Sequence, residues 1–205
     1  MQTESAIWTG FGGALVSDDP DQRLVERAQG GEVWAFEQLY ARYHAAISRM
    51  VANLVRNPAD TPDLVQEIFA KVYFALDRVR PNSPFRPWLY RIAGNHCLDY
   101  IRKRKRQPAW IDAESASAEN TIPAEGATPA ERVLAQDLVS KLFEGLKPRD
   151  RWLLVLKEVE GLTLEEISEM TGLGISALKV ALFRARRRMQ RRYQEMRSRR
   201  KEEPL

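Results

Sequence analysis

The sequence predicts an all-α protein with two helical domains and an acidic connector between them. Three observations lead there. Apolar residues recur at spacings of three and four over most of the chain, which is helical periodicity. No stretch sustains the strict apolar–polar alternation of a half-buried strand. Gly30-Gly31, Asn57-Pro58, Pro81 to Pro84 and Thr171 to Gly174 punctuate the periodic segments.

Residues 1–20 lack periodicity and end acidic at Asp18, Asp19 and Asp21, which reads as an extension to the fold. Helical patterning begins near Asp21 with Leu24, Val25 and Ala28, and Gly30-Gly31 interrupts it. A long helix follows, with Phe36, Leu39, Tyr40, Tyr43, Ile47, Met50, Val51 and Leu54 on its apolar stripe, until Asn57-Pro58 stops it. Thr61 is placed to cap the next helix, with Pro62 at its first position. That helix spans about Asp63 to Val79, with Val65, Ile68, Phe69, Val72, Tyr73 and Leu76 inward. The loop Arg80-Pro81-Asn82-Ser83-Pro84 leads to a helix from about Phe85 to Arg106 that ends in five consecutive cations, Arg102 to Arg106. The first domain is thus expected over 21–106.

From Gln107 to about Glu131 the chain turns rich in Ala, Pro, Ser and Glu. Asp112, Glu114, Glu119, Glu125 and Glu131 are acidic, and the segment has little core-forming power. It reads as a linker, either a solvated spacer or a strand-like anion lying in a basic channel of a partner. The second domain is expected over 132–195, with 196–205 as a tail. Val133, Leu134, Leu138, Val139 and Leu142 open it; Pro148 starts a helix with Trp152, Leu153, Leu156 and Val159 inward, and Gly161 ends that helix. Thr163 and Glu166 form a capping box before Leu164, Ile167 and Met170. Thr171-Gly172-Leu173-Gly174 makes a turn. A last helix then runs with Ile175, Leu178, Leu182, Ala185 and Met189 inside and Lys179, Arg184, Arg187, Arg188 and Arg191 outside. Such a pair is the layout of a helix-turn-helix, whose second helix enters a major groove. An ordinary helical hairpin with a solvated face shares the spacing, but a face of one sign is unusual for simple solvation.

Composition narrows the partners. The chain has 205 residues, a formal net charge of +4 and 29% charged residues, with a pI near 9.3. Small net charge with strong local basic clusters means segregated charge, which suits a polyanion. The single cysteine, Cys97, excludes an internal disulfide and fits a reducing cytoplasm. No apolar run approaches the roughly 18 residues of a membrane span. The first residues lack the basic start of a secretory signal, so a cytoplasmic location is expected.

Around the end of the first domain, Phe85, Trp88, Tyr90 and Tyr100 interleave with Arg80, Arg86, Arg91, Arg102 and Lys103. Rings beside cations suit unstacked bases and their phosphates, and Asn82 and Asn95 add amides able to read a base edge. The same aromatics could equally be core residues. The helix from Asp63 carries a polar face of Asp63, Gln66, Glu67 and Lys71. Enzyme chemistry finds no support: there is no Gly-rich phosphate loop, GxSxG or HExxH. The adjacent His96 and Cys97 diverge on a helix, so neither a metal nor any cofactor is expected.

Two sets of residues resemble a known family. Asp63-Leu64-Val65-Gln66-Glu67-Ile68-Phe69, then Pro87-Trp88-Leu89-Tyr90-Arg91-Ile92-Ala93 with Asn95, Asp99 and the basic run, resemble region 2 of a bacterial RNA polymerase sigma factor. Leu146-Lys147-Pro148-Arg149, Glu158 to Thr163, Glu165-Glu166-Ile167 and Phe183-Arg184-Ala185-Arg186 resemble its region 4. Size and the short linker point to the extracytoplasmic-function class. The resemblance implies that Asp63, Gln66, Glu67, Phe69 and Ala70 dock on core RNA polymerase. It implies that Arg80, Asn82, Ser83, Phe85, Arg86, Trp88, Arg91, Asn95, Arg102 and Lys103 capture the melted −10 element of promoter DNA. Ser176, Ala177, Lys179, Val180, Phe183, Arg184, Arg187 and Arg188 would read the −35 duplex. The linker would thread toward the RNA exit path, and an anti-sigma factor is an expected partner. Such a protein has no catalytic residues of its own; a stand-alone helix-turn-helix regulator of duplex operators is the competing reading. The chain departs from the family at two places. Where a Thr-Val-Lys-Ser-Arg run is common, it has Ala177-Leu178-Lys179-Val180-Ala181, and before Asn95 it has Gly94, where arginine or alanine is frequent.

Overall fold

Each domain is a small bundle of helices, and the two bundles pack on one another. The computed structural model describes residues 20–80, 83–106 and 138–202. The N-terminal extension, Asn82, the linker with Val133 and Leu134, and the final residues fall outside that set.

Four helices make the first domain: α1 (Pro20–Gln29), α2 (Val33–Val55), α3 (Thr61–Ala75) and α4 (Phe85–Arg104). Gly31, with φ of 88°, makes the corner between α1 and α2 in a conformation that side chains resist. Beyond that corner the two helices are tied by Asp21, whose buried carboxylate accepts from both Arg42 and Tyr43. Leu39, Ile47, Met50 and Leu54 of α2, Ile68 and Val72 of α3, and Leu89, Ala93 and Cys97 of α4 form the core. Thr61 is the first helical residue rather than the cap, and Asp60 precedes the helix. The Thr61 hydroxyl instead donates to the Asn57 carbonyl at 2.9 Å, closing the Asn57-Pro58 turn. A 3₁₀ turn, Leu76–Arg78, finishes α3 earlier than the expected Val79.

In the second domain residues 138–143 are helical. Then come α5 (Pro148–Leu154), a π-helical turn (Val155–Val159), α6 (Leu164–Thr171) and α7 (Ile175–Glu202). The π turn shifts the helical phase, so Val159 is exposed while Leu156 stays buried. The capping box is present: Thr163 Oγ1 accepts from the Glu166 amide at 3.1 Å, and Glu166 accepts from the Thr163 amide at 2.7 Å. Gly172 closes α6 in the left-handed region, with φ of 69°. Leu178, Leu182 and Ala185 of α7 pack inward, whereas Ile175, expected on that stripe, is exposed.

The domains share one continuous apolar core. Helix α4 touches both α5 and α6, and α2 touches α5.

Candidate nucleic-acid interface

Three surfaces carry the residues singled out in the sequence. On α3, Asp63, Gln66, Glu67 and Ala70 all face solvent. Phe69 does not; it is buried against Tyr40, ring centroids 4.6 Å apart, and holds α3 on α2 instead of offering a contact. Two aromatics that the periodicity did not single out as surface join this side. Tyr73 was expected in the core, yet it is half exposed, and Phe74 next to it is 82% exposed. Large apolar side chains clustered at a surface mark a docking area.

Beneath this surface lies His96 of α4. Its Nδ1 sits 2.6 Å from the Lys71 ammonium, and its Nε2 lies 2.9 Å from the Glu67 carboxylate. Burial, followed by the Lys71 charge, lowers the pKa below the usual 6.5, while Glu67 and Asp99 pull the other way. The neutral ring is therefore favoured in the fold, and the unfolded chain takes up the proton more readily. Stability is expected to fall as pH drops through about 6.5 and to level off once the folded ring is also charged. Thermal unfolding at pH 7.5 and 5.5 checks this: His96→Gln should be less sensitive to acidification than the parent chain.

The second surface is the start and outer side of α4. Arg80 and Arg91 are exposed, and with Ser83 and Trp88 they line one cleft. Asn95, Arg102 and Lys103 continue along the helix, all exposed. Arg102 pairs with Asp99 at 2.6 Å. Phe85 stands corrected: it is only 2% exposed and packs edge-on to Tyr43, centroids 5.6 Å apart, so it supports the surface from below. Tyr90 is buried as well, and its hydroxyl donates to Glu160 of the second domain. Burial, with that hydrogen bond, pushes its phenol above the ordinary range, so it stays a donor. Tyr100 donates to Asp60, which also receives Arg104 at 3.1 Å, and this pins the basic end of α4 to the start of α3.

The third surface is α7. Ser176, Ala177, Lys179, Val180, Phe183, Arg184 and Arg187 are exposed, and the Arg187 guanidinium lies 5.7 Å from the centre of the Phe183 ring. Arg188 differs. It pairs with Asp150 at 2.8 Å, as Arg186 does with Glu158 at 3.0 Å, so two arginines fasten the helix to α5 and the π turn. The exposed face keeps Lys179, Arg184 and Arg187.

Comparison with known proteins places the chain in a family. The profile described as Sigma-70 region 2 matches residues 39–107, and that described as Sigma-70, region 4 matches residues 136–189. The ECF RNA polymerase sigma-E factor of Escherichia coli (strain K12) is 35% identical over 183 residues, covering 86% of this chain and 95% of that one. Its counterpart from Haemophilus influenzae is 34% identical over 184 residues, covering 86% and 96%. The chain belongs to the ECF sigma factors. It is a transcription initiation factor. Among solved structures, CnrH in complex with the cytosolic domain of CnrY superposes with a TM-score of 0.65 at 27% identity, covering 84% of this sigma factor and 96% of that chain. The sigma factor RpoE of Bartonella quintana, in complex with the anti-sigma factor NepR, shares the fold with a TM-score of 0.62. Among the described residues, no helix is long and apolar enough to cross a membrane.

Proposed function

We propose that this sigma factor binds core RNA polymerase through α3, reads the −35 duplex with α7 and holds melted −10 bases on α4. It acts in the cytoplasm and contributes no catalytic group; the chemistry of initiation belongs to the polymerase. Asp63, Gln66, Glu67 and Ala70 form the polar part of the polymerase contact, and Tyr73 and Phe74 extend it. Trp88 offers a stacking platform, with Arg80, Arg91 and Lys103 beside it for phosphates and Asn95 and Ser83 for base edges. On α7, Lys179 reaches a base edge, Val180 and Phe183 offer apolar contact to thymine methyls, and Arg184 and Arg187 hold the flanking backbone. An inhibitor protein of the anti-sigma kind is a further partner, as NepR is for the sigma factor RpoE of Bartonella quintana.

The observation that carries this reading is the division of labour on α7. Arg186 and Arg188 are tied to the domain, while the opposite face leaves its cations and apolar residues bare. The test is start-site-specific transcription from a promoter library with purified protein and core polymerase. Specific transcripts are expected only when both are present. Tight footprinting of a duplex without core polymerase would sink the reading in favour of a stand-alone regulator.

Lys179→Ala is expected to cost about 1–3 kcal/mol of promoter binding, with melting of a pre-opened bubble unchanged. Arg184→Ala and Arg187→Ala should each remove one phosphate partner. Measured against salt, each should flatten the log–log slope of promoter affinity by about 0.9.

A further inference from the structure

Three arginines meet at one corner with too few acids to balance them. Helix α2 ends on Arg56, whose backbone lies in the left-handed region with φ of 60°. Glycine or asparagine is usual there, because a larger side chain is strained in that conformation. Arg56 holds the position all the same. Its guanidinium reaches Ser140 Oγ at 3.5 Å and the Glu144 carboxylate at 3.2 Å. Arg192 of α7 takes the other oxygen of the same carboxylate at 2.8 Å. Arg151 of α5 joins them: α2 packs on α5, and Arg151 feels the Arg56 charge. Arg151 is only 7% exposed, yet among the described residues its guanidinium has neither a carboxylate nor a hydrogen-bond acceptor. Burial, with the Arg56 charge adding to it, holds its pKa down at about 10. At neutral pH it stays charged even so.

A buried charge left without a partner is strongly unfavourable, and arginine does not escape by losing its proton. The Nε atoms of all three arginines are enclosed without an acceptor. Their terminal nitrogens differ. None of these is enclosed, and Glu144 and Ser140 are the only groups among the described residues that serve any of them. Each arginine therefore keeps at least one terminal nitrogen open to a ligand. We propose that this corner binds a small tetrahedral oxyanion of the phosphate class, held by Arg56, Arg151 and Arg192 together. The planar guanidinium fork matches the oxygen spacing of such an anion, and hydrogen bonds between charged partners are the strong ones. The Ser140 hydroxyl accepts from Arg56, so its own proton is left to donate to an anion oxygen. Three positive charges and one carboxylate leave the corner at +2, which a dianion cancels. The near-complete burial of Arg151 selects for size: it admits a free ion and not a phosphate carried on a strand or duplex. The site uses no residue of the three surfaces described above and does not depend on their assignment.

The test uses the full chain in chloride buffer and titrates inorganic phosphate at constant ionic strength. Calorimetry is expected to show saturable binding of one ion per chain. Sulfate should compete for the site, and the melting temperature should rise along the same binding curve. Arg151→Met keeps the side chain long while removing the unpaired buried charge. Without phosphate it should fold at least as well as the parent, and it should lose phosphate affinity by at least about tenfold. Arg192→Gln, at a partly exposed side chain, should weaken binding by a similar factor. Arg197→Gln, an exposed cation of the same helix outside the corner, should leave affinity at the parent value. Absence of saturable binding to the parent overturns the proposal. Unchanged affinity in a folded Arg151→Met chain overturns it too; should that variant not fold, unchanged affinity in Arg192→Gln does so instead. An equal loss in Arg197→Gln also overturns it, since binding would then be diffuse attraction to a basic surface.

Discussion

Phe85→Ala is expected to unfold much of the first domain near physiological temperature. The ring is 2% exposed and sits where α2 and α4 meet, in contact with Tyr43 and with Trp88, 5.6 and 5.8 Å away by centroid. Truncating a buried phenylalanine costs about 3–5 kcal/mol, because the lost transfer energy is joined by that of the cavity. A domain with about 5–15 kcal/mol in total has little left after such a loss. Denaturant unfolding followed by far-ultraviolet circular dichroism measures it directly. A cost below about 1 kcal/mol would show that the site collapses around the gap, or that Phe85 is not a core residue in solution.

Trp88→Ala should separate function from folding. Trp88 is half buried, packed on Phe85 but open along one edge of the cleft it shares with Arg80 and Arg91. Loss of a base stack is worth about 1–3 kcal/mol, or roughly 5- to 150-fold in strand capture. Promoter opening, followed by permanganate reactivity of unpaired thymines, should fall by that factor. Polymerase binding, proposed above to use α3, should stay near the parent value. Equal loss of both would show that Trp88 is structural, since a folding defect would take α3 with it.

The sequence disclosed those parts of the molecule that local chemistry settles. Gly31, the Asn57-Pro58 turn, the Thr163–Glu166 box and Gly172 stand where their residue types demand, because each acts within a few residues of itself. What lay beyond it was set at long range. Spacing placed Phe69 inward and only the family resemblance drew it into the docking set, while Phe85 stands among cations and could be read either way; helical spacing fixes the phase of a stripe better than its width. Tyr73 and Phe74 show the converse, since an aromatic on the stripe edge goes where the packing leaves it. Val159 turned outward because a π turn shifted its register, which no 3.6-residue count anticipates. The arginines on α7 and α4 read alike in sequence, yet Arg188 answers to Asp150, 38 residues away, and Arg86 to Glu160, 74 away. Gly94 was visible as a departure from the family; the Trp152 ring that a Cβ there would strike was not.

Cys97 carries a consequence for how this protein can learn about its surroundings. The thiol is fully buried in the α4 core, and burial pushes its pKa up to about 12. Oxidants and electrophiles attack thiolates, and at neutral pH this sulfur is thiolate on the order of one part in 10⁵. The lone sulfhydryl is therefore chemically silent while the fold holds. Redox stress therefore finds no handle on this sulfur until the α4 core opens.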